Sequence, residues 1–181
     1  MADSSITKKA LASALKKLMS ERPFSQITVI NICELCEMNR KSFYYHFKDK
    51  YDLVSYICYT EFIKAASEKD YTDGFDLLYD MCNYFEKNKS FYRKILKNES
   101  NNPFYDYFKG WLMPIAEDFM KKIFASSENN QFYADFFTDA FINSLKKWIL
   151  SPNPMPAKKF IEMIRSCVYG ISKNTVNQID E

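Results

Sequence analysis

Asn39-Arg40-Lys41-Ser42-Phe43-Tyr44-Tyr45-His46-Phe47-Lys48-Asp49-Lys50 is the stretch on which the reading of this chain turns. At about 100° per residue it forms a short helix with a narrow apolar edge. Phe43 and Phe47 stand four apart, share one face and can dock onto a core. The opposite side is centred on Tyr45, with Lys41 and Ser42 beside it and Arg40, Tyr44 and His46 on the flanks. Cations, hydroxyls and aromatic edges gathered on one helix face suit phosphate oxygens and base edges in a nucleic-acid groove. A second short helix stops just upstream, so the pair reads as a helix-turn-helix.

Upstream, Thr28 reads as the N-cap of that second helix, which runs from Val29 to Cys36 with Val29, Ile32 and Leu35 facing inward. Before it, Arg22-Pro23-Phe24-Ser25 breaks a first helix that Ser4 or Ser5 caps and that ends near Glu21. Downstream, Asp49 caps a fourth helix, and Asp52 adds negative charge where the helix dipole favours it. Lys50 sits in the same first turn against that dipole, a placement that a bound phosphate would explain. The fourth helix continues through Leu53, Ile57, Phe62 and Ile63 to about Ser67, long enough to link a head to a body. Cys33-Glu34-Leu35-Cys36 is a C-x-x-C, but no second Cys/His pair follows at zinc spacing and no βαβ context suggests a redox motif. Packing as small hydrophobes is the reading for both thiols.

Thr28 to Leu53, with the core Phe43-Tyr44-Tyr45-His46-Phe47-Lys48-Asp49-Lys50, resembles the DNA-binding signature of the TetR family of transcriptional regulators. The resemblance covers roughly residues 6–55. It implies an all-α chain: a three-helix helix-turn-helix domain at 1–50, joined by a linking helix to an effector-binding and dimerisation domain at 51–181. Together with the outward side of the Arg40–His46 helix, it points to DNA contacts from eight positions. Arg40, Lys41, Ser42 and Tyr44 are expected at base edges, and Thr28, Tyr45, His46 and Lys50 at phosphates. Two positions depart from the family pattern. Glu37 stands in the turn where the family usually has Gly, which asks a non-glycine residue for positive φ. Lys41 replaces a small residue and places a long cation at the centre of the groove-facing side.

From residue 68 the periodicity stays helical. Glu68 to Gly74 is a polar break. Stripes follow at Phe75–Phe85, Phe91–Leu96, Phe104–Phe119, Phe132–Ile149 and Phe160–Ile171, separated by loops at 98–103, 126–130 and 151–156. Pro114 inside the third stripe should kink or split that helix. The tail from Ser172 reads as frayed. Phe75, Tyr79, Cys82, Phe85, Phe108, Trp111 and Ile115 are the candidate lining of an effector pocket for a small apolar or aromatic molecule. Phe137, Phe141, Leu145, Trp148, Ile161, Ile164 and Val168 are the candidate dimer face, paired as a four-helix bundle. The C-terminal half also resembles a TetR subgroup found near dihydroxyacetone kinase genes, through Lys89-Ser90-Phe91-Tyr92 and Trp148 before a Pro-containing loop. Some members of that subgroup act as activators with a protein partner.

Composition agrees with this reading. Three glycines and six prolines in 181 residues exclude a turn-rich β architecture. Residues 1–50 carry nine Lys/Arg against five acids, a net +4 in a chain whose total is +2. A basic head on a slightly acidic body suits polyanion binding by the head alone. Five cysteines, without a signal peptide or a long apolar run, read as reduced thiols in a cytoplasmic protein. The only histidine is His46, and neither a metal-ligand cluster nor a phosphate-cradling Gly loop is present. No enzyme and no cofactor are expected. The expected function is a homodimeric, sequence-specific DNA-binding regulator, a repressor released by a small ligand. An activator controlled by a protein partner and a helical interaction module without DNA binding are the alternatives.

Overall fold

The computed structural model describes residues 2–97, 103–123 and 129–179, and among these it contains helices and no strands. The expected loops at 98–103 and 126–130 fall largely outside the described residues. Two compact units emerge. One comprises residues 1–69 with 88–106, the other 70–87 with 107–181. The break at Lys69 falls in the polar 68–74 segment. The division at residue 50 is not the one that compactness follows, because the linking helix and residues 88–106 pack with the head.

In the N-terminal unit, α1 (Ala2–Glu21) lies against α2 (Val29–Leu35), α3 (Arg40–His46) and α4 (Lys50–Cys58). Leu11, Leu15, Ile27, Ile32, Phe43 and Leu53 are fully buried where these helices meet. Each such side chain contributes about 1.5–3 kcal/mol by leaving water. α1 begins at Ala2, ahead of the expected caps Ser4 and Ser5, which lie within its first turns. α2 departs from its expected face. Cys33 is buried while Leu35 is 38% exposed, because a seven-residue helix turns a slightly different side to the core.

The turn between α2 and α3 closes as a Schellman motif. The Met38 N–H donates to the Cys33 carbonyl at 2.9 Å and the Glu37 N–H to the Glu34 carbonyl at 3.3 Å. Glu37 carries φ 55°, the left-handed conformation such a turn demands. Asn39, unremarked in the sequence as a cap, starts α3 by accepting from the Ser42 N–H at 2.8 Å. Asp49 caps α4 as expected, accepting from the N–H groups of Tyr51 and Asp52. The α4 helix passes through a π segment, Tyr59–Ile63, into α5 (Lys64–Ser67), so the linking helix reaches its expected end. α7 (Lys89–Leu96) joins this unit against α1, with the Lys94 ammonium donating to the Met19 carbonyl.

The C-terminal unit is built from α6 (Gly74–Lys87), α8 (Pro103–Ile123, whose first residues belong to the N-terminal unit), α9 (Asn130–Leu150) and α10 (Ala157–Ile179). α8 runs unbroken through Pro114, so the proline does not split it. α10 continues to Ile179, past its expected end at Ile171. Side-chain contacts tie these helices at several points. Lys109 pairs with Asp139 at 2.6 Å between α8 and α9, and Arg165 of α10 pairs with Asp73 at 3.2 Å while lying over the Phe75 ring. Trp148 stacks on Phe160 at 5.0 Å and donates its indole N–H to the Met155 carbonyl, which fixes the Pro-rich corner before α10.

Two outcomes test this packing. Glu37→Gly relieves the left-handed strain, so urea unfolding should show a gain of about 1 kcal/mol. An unchanged or lower stability would contradict the turn geometry. Burial pushes the Cys58 thiol up to about 12 from its ordinary 9.0, and raises Cys82 as well. The folded chain therefore holds these protons when the unfolded chain has released them, so stability falls as pH climbs from about 9 towards about 12. At pH 8 a thiol reagent should modify exposed Cys167 quickly and leave Cys58 and Cys82 untouched until the chain unfolds.

Candidate nucleic-acid interface and effector cavity

α3 owes its orientation to its two phenylalanines. Phe43 is fully buried and Phe47 nearly so, with ring centroids 5.8 Å apart, and this turns the opposite side of the helix outward. Tyr45 is 83% exposed at the centre of that side, and Arg40, Lys41 and Tyr44 are exposed around it. Ser42 and His46 are half-buried. Of the six polar residues expected on this seven-residue helix, four are thus exposed and two half-buried, around the buried Phe43. The Arg40 guanidinium lies 5.8 Å from the Tyr44 ring centroid, and His46 meets Tyr45 edge-on at 4.9 Å. These contacts hold long side chains in a row without consuming their hydrogen-bonding atoms. The Ser42 hydroxyl donates to Asn39 Oδ1 at 3.2 Å at the start of the helix.

Thr28 and Lys50 stand differently. Thr28 forms a capping box with Asn31: its hydroxyl oxygen accepts from the Asn31 N–H, and Asn31 Oδ1 accepts from the Thr28 N–H at 3.1 Å. The residue is exposed at the start of α2. Lys50 reaches back across the unit. Its ammonium donates to the carbonyls of Phe24 at 2.9 Å and Ile27 at 3.1 Å, and lies 4.4 Å from the Phe24 ring centroid. Its electrostatically poor position in the first turn of α4 is therefore explained within the fold. The lysine ties the α1–α2 connection to the linking helix. Sequence spacing could not show this, because the accepting carbonyls lie 26 and 23 residues away.

In the C-terminal unit, a mainly apolar cavity of about 210 Å³ lies among α6, α8, α9 and α10. Phe75 and Ile115 of the expected pocket line it. Tyr79, Cys82, Phe85, Phe108 and Trp111 do not: Cys82, Phe85 and Phe108 are buried elsewhere in the unit and Tyr79 is exposed. Four residues expected at a dimer face, Phe137, Phe141, Ile164 and Val168, line the cavity. The other three, Leu145, Trp148 and Ile161, are already buried within the single chain. What α9 leaves exposed is a different pair, Phe132 at 65% and Phe136 at 53%, with rings stacked 6.2 Å apart.

A buried aromatic edge, an outward row of cations and hydroxyls, and a capped turn before it define a helix-turn-helix DNA-binding protein. Residues 11–57 match the family described as bacterial regulatory proteins, tetR family, and residues 73–170 match a transcriptional regulator C-terminal region. The chain belongs to the TetR family of transcriptional regulators. It is similar to the HTH-type dhaKLM operon transcriptional activator DhaS of Lactococcus lactis subsp. lactis (strain IL1403), at 28% identity over 134 residues, 74% of this chain and 68% of that protein. Two solved structures share the fold. A dihydroxyacetone kinase operon activator DhaS matches with a TM-score of 0.66 at 22% identity, over 93% of this chain and 97% of its own. A TetR transcriptional regulator from Streptococcus agalactiae 2603V matches with a TM-score of 0.71 at 21% identity, over 92% and 96%. Membership in a family of regulators agrees with the expectation that the chain is not an enzyme. Among the described residues no helix is long and apolar enough to cross a membrane.

Because Lys50 ties two backbone carbonyls, Lys50→Met should lower the denaturant stability of the protein by about 1.5–3 kcal/mol. Wild-type stability in that variant would contradict the structural tie.

Proposed function

We propose that the protein is a cytoplasmic, homodimeric regulator that reads a DNA operator with the outward side of α3. The observation that carries the reading is the exposure of Arg40, Lys41, Tyr44 and Tyr45 on the side opposite buried Phe43 and Phe47. Arg40, Lys41, Ser42 and Tyr44 meet base edges in the major groove. Thr28, Tyr45 and His46 meet phosphates at the flanks, and Lys50 serves by holding the head in shape, close to the same backbone. Two heads spaced about one helical turn, roughly 34–36 Å, give the affinity that one short helix lacks. The exposed, mutually stacked rings of Phe132 and Phe136 on α9 support pairing through this helix.

The C-terminal unit controls the head by taking an effector, which shifts the population of dimers that fit the operator. Similarity to the Lactococcus lactis activator favours activation as the sense of control over the repression expected from the sequence, and it keeps a co-regulator protein as a second kind of partner.

Lys41→Ala should narrow the ratio of specific to non-specific affinity by about 10-fold or more, read by titrating operator and scrambled duplexes side by side at fixed salt. Equal losses on both duplexes would remove Lys41 from base reading.

A further inference from the structure

Cys33-Glu34-Leu35-Cys36 closes α2, and both of its cysteines are free thiols. Cys33 is 3% exposed and packs in the core, whereas Cys36 is only half-buried at the C-cap. The last turn of the helix is tighter than α. The Cys36 N–H donates to the Cys33 carbonyl at 3.2 Å and the Glu37 N–H to the Glu34 carbonyl at 3.3 Å, the three-residue spacing of a 3₁₀ turn. Side chains three apart in such a turn eclipse, so the two thiols lie on one side of the chain. Three residues of α or 3₁₀ helix separate two Cα atoms by about 5–6 Å, inside the range of about 4.4–6.8 Å that a disulfide spans. The Cys36 thiol leans back along the helix, donating to the Ile32 carbonyl at 3.2 Å and to the carbonyl of Cys33 itself at 3.6 Å. Cys33 is in turn bonded into the turn that seats α3. Its carbonyl accepts the Met38 N–H that closes the Schellman motif, and its thiol donates at 3.8 Å to the carbonyl of Asn39, the cap of α3.

We propose that Cys33 and Cys36 form a reversible disulfide, a modification site that switches the DNA-binding head off. The oxidant is a low-molecular-weight disulfide such as oxidised glutathione. Cys36, the more accessible of the two, attacks one sulfur of the reagent as its thiolate, forms a mixed disulfide and expels one glutathione thiolate. That thiolate takes up the Cys33 proton. Cys33 then attacks the Cys36 sulfur and expels the second glutathione, which picks up the proton that Cys36 first released. Two protein thiols are oxidised to one disulfide while one glutathione disulfide is reduced to two thiols. A disulfide holds its Cβ atoms about 3.5–4.5 Å apart, closer than the roughly 5–6 Å between helix positions three apart. Closure therefore draws the C-cap inward and the Cys33 sulfur off the Asn39 carbonyl, and the start of α3 loses its seat. Burial raises both thiols above their ordinary 9.0, which slows the exchange at neutral pH, so the pair follows a sustained redox poise and not a brief exposure. Transient, sensing disulfides are the kind that a reducing compartment permits. The consequence for DNA rests on the reading that α3 meets the operator.

The test equilibrates the full chain, carrying Cys167→Ser to remove the exposed thiol, in buffers of increasing ratio of oxidised to reduced glutathione. Trypsin leaves Cys33 and Cys36 in one peptide free of the other three cysteines, and the mass of that peptide should fall by two hydrogens. Affinity for a duplex selected by the reduced protein from a randomised pool should fall about 10-fold or more in step with the mass change, and return with dithiothreitol. Cys36→Ser keeps a donor for the Ile32 carbonyl; it should bind like the reduced protein and ignore the glutathione ratio. A peptide that stays reduced, or carries glutathione alone, at the most oxidising ratio overturns the site. A disulfide with unchanged affinity overturns the switch, and so does a loss of affinity that persists in Cys36→Ser. Amide hydrogen exchange over residues 37–46 separates this proposal from the reading beneath it. A disulfide that speeds exchange there, in a protein whose reduced form selects no duplex, leaves the modification site standing and brings down the DNA reading of α3.

Discussion

The rings of Phe43 and Phe47 enter the core of the N-terminal unit, and the outward side of α3 exists because they do. Seven residues make barely two turns, too few to hold a helix by its own hydrogen bonds. Tertiary burial at one edge and the Asn39 cap at the start supply what is missing. Once these fix the rotation of the helix, every other side chain on it is placed. Tyr45 falls opposite the core, and Arg40, Lys41 and Tyr44 fall beside it. A helix rotated by one residue would turn Tyr44, or Ser42 and His46, toward the core and expose a phenylalanine, so the functional face and the packing face are one constraint.

Around that helix the head is pinned at its weak points. The Schellman turn brings α2 to a stop through a strained Glu37, and Asp49 starts α4. Lys50 then joins the carbonyls of Phe24 and Ile27 to the same region, so the loop after α1 is tied to the start of the linking helix. The α7 helix, although it follows α6 in the chain, packs on α1 with Lys94 on the Met19 carbonyl. Sequence order alone would have left it with the body.

What could be read from the sequence was local. Thr28 and Asp49 cap helices with partners two or three residues away, and Phe43 and Phe47 declare a buried edge by their spacing alone. Glu37 required positive φ because of where the turn had to fall. What the sequence did not show depends on distant partners. Lys50 was read from the dipole of its own helix, while its acceptors lie far upstream. α9 is apolar on more than one side, so periodicity could not say that Phe141, Leu145 and Trp148 are buried in their own chain while Phe132 and Phe136 stay exposed. The same ambiguity left Cys82, Phe85 and Phe108 as candidate pocket residues, although they are buried and outside the lining of the cavity of about 210 Å³.

The central claim is that the α3 face reads DNA, and one titration tests it most directly. Affinity for fragments from around the protein's own gene would be measured against scrambled DNA of equal length, over a series of salt concentrations. The account expects a gap of about 10³-fold or more between the two, with both affinities falling steeply as salt rises. Equal, weak and salt-insensitive binding across a broad pool of DNA, with the protein folded throughout, would contradict it.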